Sequence, residues 1–98
     1  MMHSLEEIRT MDDLRSYIHH ALCERENLLS DQFGMTETRL SRGGEECGRQ
    51  FSVKGPRSVK LAAIWTLEQN EIYFYGAGGE RYQKIRLPHR IERTPVCV

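Results

Sequence analysis

The chain has 98 residues, 39% of them apolar and 29% charged, with a formal net charge of +0. That length is one domain's worth, burying roughly two-thirds of the surface its unfolded chain exposes, and it leaves no room for separate catalytic and substrate domains. Disorder throughout is excluded by the concentration of Phe51, Leu61, Ile64, Trp65, Ile72 and Phe74.

The neutral total hides a split along the chain. Residues 1–37 hold eight acids against Arg9, Arg15 and Arg25, whereas residues 38–98 hold six acids against eleven bases. Such asymmetry marks either a basic surface that meets an anionic partner or two halves that attract each other within the fold. Cys23, Cys47 and Cys97 are odd in number and widely spaced, which argues against a disulfide framework and a zinc knuckle. The opening MMHSLEEIRT lacks the cationic and then apolar run of a secretion signal, and no stretch approaches ~20 consecutive apolar residues. The expectation is a cytoplasmic protein with no membrane segment and no cofactor.

Residues 1–9 are expected to form a flexible arm, residues 10–88 a single domain, and residues 89–98 a mobile tail. Thr10-Met11-Asp12-Asp13 places a hydroxyl at a helix N-cap with acids in the first turn, where free N–H groups favour them. Met11, Leu14, Ile18, Leu22 and Leu29 then recur at helical spacing, with Ala21 and Leu28 widening the stripe, and predict a helix over 11–29.

From Gln32 onward the period becomes two. Thr36–Leu40 alternates, Arg42-Gly43-Gly44-Glu45-Glu46 reads as a loop, and Gln50–Lys54 alternates again up to the Gly55-Pro56 turn. Val59–Leu67 forms a long strand, Ile72–Tyr75 a shorter one, and Arg81–Leu87 the last, with turns at Glu68-Gln69-Asn70 and Gly76–Gly79. The fold class predicted is α+β: one N-terminal amphipathic helix packed on a four- to five-stranded antiparallel meander, in two layers.

Strand alternation also assigns faces. With Phe51, Val53, Trp65, Ile72, Phe74, Ile85 and Leu87 turned to the helix, Lys54, Lys60, Tyr73, Tyr75, Tyr82, Lys84 and Arg86 turn away, and Arg39 joins them if the first strand's register allows. Ala62 and Ile64 share that outer face and add an apolar component. Tyrosine and arginine are enriched at protein interfaces, so the leading expectation is a small non-enzymatic interaction module, a homodimer or a partner of another protein, joined through the sheet face or an edge strand. Tyrosines among bases are also the stacking-plus-cation surface used on single-stranded nucleic acid, which is the alternative.

Three constellations point to other chemistry. His19 and Cys23 stand four residues apart on one helix face, a spacing that can share a metal, but Cys47, His89, Cys97 and His3 offer no spacing signature for the further ligands, and no metal is expected. Gly76-Ala77-Gly78-Gly79 precedes a strand rather than the helix N-terminus a phosphate loop needs, and reads as a hairpin. No serine or cysteine is tied by spacing to a histidine and an orienting acid. A helix followed by the meander of Gly55–Tyr82 resembles the small ribonuclease toxins of bacterial toxin–antitoxin pairs, which implies Arg, Lys and Tyr on a sheet cleaving mRNA. This chain departs from them in having one helix instead of a helical hairpin, and no net charge.

Overall fold

The computed structural model describes residues 5–29 and 31–91. A 3₁₀ turn at Leu5–Glu7 leads into α1, Met11–Arg25, followed by β1 (Met35–Arg42), β2 (Glu45–Lys54), β3 (Lys60–Thr66), β4 (Glu71–Tyr75) and β5 (Arg81–Arg86). The five strands lie in chain order in one antiparallel sheet, and α1 crosses one face of it over β2 and β3. This is the predicted two-layer α+β fold, with five strands, the upper of the two numbers expected.

Local chemistry sets where α1 begins and ends. Thr10 Oγ1 accepts the Asp13 N–H at 3.1 Å while Asp13 Oδ2 accepts the Thr10 N–H at 3.1 Å, so two N-terminal donors are satisfied reciprocally. The helix stops at Arg25, four residues short of the predicted 29. Asn27 adopts φ 57°, Leu28 N–H reaches back to the Cys23 carbonyl at 2.8 Å, and Asn27 N–H reaches that of Glu24 at 3.2 Å. That is the Schellman pattern, with asparagine in the left-handed position. Leu28 therefore packs against the core from a loop, and Leu29, expected on the helix stripe, is exposed.

The core is Met11, Leu14, Ile18 and Leu22 of α1 against Phe51, Val53, Leu61, Ala63, Trp65, Ile72 and Phe74 of the sheet. Each fully buried aliphatic or aromatic side chain contributes about 1.5–3 kcal/mol. Ile8 and Leu87 are also buried in this core and Leu5 packs against it, whereas Glu6, Glu7 and Arg9 are exposed, and residues 1–4 of the expected arm lie outside the described residues. At the other terminus Asn70 Nδ2 donates to the His89 carbonyl at 2.7 Å, and Arg90 donates to the carbonyls of Leu67 and Glu68. These bonds join residues 89 and 90 to the β3–β4 turn, Ile91 packs against the core, and the rest of the expected mobile tail lies outside the described residues.

The β1–β2 connection is tighter than the five-residue loop predicted. Gly43 and Gly44, at φ 60° and 85°, make a two-residue hairpin turn that only positive φ at both positions permits without strain. Two extra residues disturb the ladders elsewhere: Cys47 in β2, between the pairs Leu40↔Gly48 and Ser41↔Glu46, and Tyr82 in β5, between Phe74↔Gln83 and Tyr75↔Arg81.

Asn70 links turn, core and terminus. It sits at φ 55° in the β3–β4 turn, and its Oδ1 accepts the indole N–H of Trp65 at 3.0 Å. Asn70→Ala removes the acceptor of a buried donor, an expected loss of about 1–2 kcal/mol. Urea unfolding followed through Trp65, the chain's one tryptophan, reports the change, and an unaltered midpoint would remove this role.

Candidate interaction face

Among the described residues no second layer covers the sheet face opposite α1. The pairings Ala62↔Tyr75, Ile64↔Tyr73 and Tyr73↔Lys84 place Ala62, Ile64, Tyr73 and Tyr75 together at its centre, all half-buried. On β3, β4 and β5 this face also carries Lys60, Arg81, Lys84 and Arg86 against one carboxylate, Glu71, and Lys54 of β2 stands directly opposite Lys60. Two like charges at directly paired positions repel each other, so Lys54 and Lys60 gain from any anion laid across them.

Glu71 organises the aromatic centre. Its side chain is 7% exposed, and it accepts the Tyr73 hydroxyl at 2.8 Å while Arg86 Nε approaches at 3.5 Å and Lys84 Nζ at 4.0 Å. Tyr73 lies two residues further along the same strand, so this bond lays its ring down along β4. Arg81 and Lys84 flank the ring, 5.3 and 5.9 Å from its centre. Hydrogen bonding to the Glu71 carboxylate holds the Tyr73 hydroxyl above its ordinary pKa, and it stays neutral. Neither Glu71 nor Arg81 is among the residues predicted for this face. The signal available was the i, i+2 relation of Glu71 and Tyr73, which puts both on one face.

Of the residues predicted for this face, Lys54, Lys60, Tyr73, Tyr75, Lys84 and Arg86 are on it. Tyr82 is not. As the extra residue of the β5 bulge it escapes the alternation, packs 6.0 Å from Phe74 and lies under the Arg25 guanidinium at 4.1 Å, on the helix side. Arg39 is not on it either, because its partner in the β1–β2 register is Arg49, whose side chain points to the helix side.

Tyr82 instead borders an open groove between α1 and β5, about 570 Å³, shared with Tyr17, His20, Ala21, Glu24 and Arg25. Burial pushes the hydroxyls of Tyr17 and Tyr82 up in pKa, so both remain neutral donors there. His19 Nε2 lies 2.6 Å from the Phe33 carbonyl, an atom that only accepts, so that nitrogen carries the proton and is committed. Cys23 is buried in the core. Among the described residues no group of three or more His, Cys, Asp or Glu side chains is placed to hold a metal ion, and no helix is long and apolar enough to cross a membrane. His3 and Cys97 lie outside the described residues. The Gly76–Gly79 segment is a hairpin loop closed by Gly76 N–H to the Glu80 carbonyl at 2.9 Å, with β5 following it.

No family model matches the chain, and comparison with curated proteins and with solved structures likewise returned no match.

Proposed function

We propose that the protein is a binding module that takes single-stranded nucleic acid on its open sheet face. The observation that carries this reading is the segregation of charge: Lys54, Lys60, Arg81, Lys84 and Arg86 surround Tyr73 and Tyr75, and among the described residues Glu71 is the one acid that β3, β4 and β5 place on this face. Tyr73 and Tyr75 are two residues apart on one strand, about 7 Å, and offer successive stacking platforms to an extended chain of bases. The cations around them suit phosphates. Lysine is depleted at protein interfaces, and two copies of this face brought together would set base against base, which disfavours a homodimer formed through it.

Anisotropy titrations with random-sequence single-stranded RNA and DNA test the proposal. Five phosphate contacts give a slope of log K against log salt approaching about −3.5 for a single strand. Tyr75→Ala, which unlike Tyr73→Ala leaves the Glu71 hydrogen bond intact, is expected to weaken binding by roughly 5- to 150-fold. Lys84→Ala is expected to make the salt slope shallower. Absence of binding at low salt, or equal binding of an acidic peptide such as polyglutamate, would overturn the reading.

A further inference from the structure

β1 and β5 are the two edges of the sheet, and they differ in charge. β5 reads Arg81-Tyr82-Gln83-Lys84-Ile85-Arg86, with three cations and no acid, so pairing it with a second copy of itself opposes like charges when the axis lies at Lys84 or Ile85, and no register opposes unlike charges within the strand. β1 is eight residues long and unbroken, because the extra residue of its bulge belongs to β2, and it carries both signs in Glu37 and Arg39. Both face the helix side. Glu37 accepts from Arg15 and Arg49, whereas Arg39 is exposed, stands opposite the cation Arg49, and has no ion-pair partner among the described residues.

Charges turned inward on an edge strand ordinarily guard it against association. These two instead make the edge complementary to itself. In an antiparallel ladder alternate residues turn their N–H and C=O outward, so two copies of a strand pair about an axis through a residue, which matches outward-facing positions with outward-facing positions. An axis at Glu37 sets two carboxylates face to face, and an axis at Arg39 sets two guanidiniums face to face. An axis at Thr38 sets Glu37 opposite Arg39 of the partner subunit, twice, and also sets Thr36 opposite Leu40 of the partner subunit.

We propose that the chain self-associates through β1 in this Thr38-centred antiparallel register, joining two five-stranded sheets into one of ten strands. The opposed Glu37–Arg39 pairs select the register, and main-chain hydrogen bonds along β1 supply the contact. This holds independently of the nucleic-acid reading, since β1 contributes none of the cations or tyrosines invoked there.

Light scattering over a concentration series, together with directed cross-linking, tests it. The wild-type mass is expected to rise toward a dimer with concentration, and Arg39→Glu to remain monomeric. That substitution leaves the monomer intact, since the new carboxylate lies across from Arg49, and unchanged circular dichroism checks this. In a Cys47→Ser, Cys97→Ser background, Thr38→Cys is expected to form an intermolecular disulfide on mild oxidation, because directly opposed strand residues have Cα atoms about 4.5–5.5 Å apart. Thr36→Cys, facing Leu40 of the partner subunit, is expected to cross-link far less. A wild-type monomer at the highest workable concentration would overturn the proposal. So would a dimer that survives Arg39→Glu, or equal cross-linking through positions 36 and 38.

Discussion

Gly48→Ala is expected to lower the thermal unfolding midpoint by about 12–24 °C, the consequence of roughly 3 kcal/mol of overpacking in a domain of this size. A Cβ built on Gly48 lies 2.3 Å from the carbonyl oxygen of Trp65 and 3.4 Å from its carbonyl carbon. Both are backbone atoms of the adjacent central strand, so no side chain can swing aside to admit the methyl group. The close approach arises where β2 carries its extra residue, Cys47, and the ladder to β1 shifts. Relief requires β2 and β3 to separate beside Trp65, which is itself buried and bonded to Asn70. Gly34→Ala provides the control, since nothing lies within 4 Å of its Cβ and its φ is not in the left-handed region. Melts followed by far-ultraviolet circular dichroism should separate the two variants widely. A Gly48→Ala protein that melts within about 4 °C of wild type, the shift expected for under 1 kcal/mol, would show that the strands yield without cost.

The same bulges mark the limit of what the sequence discloses. Alternation assigns the faces of β3 correctly, with Leu61, Ala63 and Trp65 buried and Lys60, Ala62 and Ile64 on the other side, because that strand runs without interruption. It fails at Tyr82, where one added residue reverses parity and no glycine or proline announces it. The start of α1 was legible in Thr10 and Asp13, whose side chains act within four residues of each other. Its end was not. The apolar pattern continues through Leu28 and Leu29, and the left-handed residue that terminates the helix is an asparagine rather than the more telling glycine. Most of the candidate face followed from period two alone. The place of Arg81, and the approach of Lys84 and Arg86 to Glu71, depend on the β4–β5 register, which no local pattern fixes. The side taken by Arg39 likewise depends on long-range contact, since β1 is oriented by ion pairs from α1 and β2 that are 22 and 12 residues away in sequence.

Those ion pairs carry the second large effect. Arg15 Nε donates to Glu37 Oε1 at 2.6 Å, Arg49 Nη1 to Glu37 Oε2 at 2.5 Å, and Arg49 Nε to Glu46 at 2.7 Å, with Asp12 holding the far side of Arg15 at 2.9 Å. Arg49 has an 11% exposed side chain, so the acid shared with Arg15 is one it cannot readily replace with water. Hydrogen bonding from Arg15, then from Arg49, holds the Glu37 carboxyl below its ordinary pKa, against the opposing effect of burial. A carboxyl depressed in the folded state stabilises the fold fully above its unfolded value of about 4.3, and that contribution is lost as pH falls through the folded value. Glu37→Gln, which keeps the shape and removes the charge, is therefore expected to cost about 2–3 kcal/mol at neutral pH. The gap between variant and wild type should then close as the pH is lowered below about 4. Because β1 is an edge strand tied to α1 through this carboxylate, its amides should also exchange faster with deuterium in the variant, while those of β3 and β4 change less. A gap that stays constant between pH 7 and pH 3 would mean that the variant loses stability for reasons of packing, and that the charge itself does not hold the edge in place.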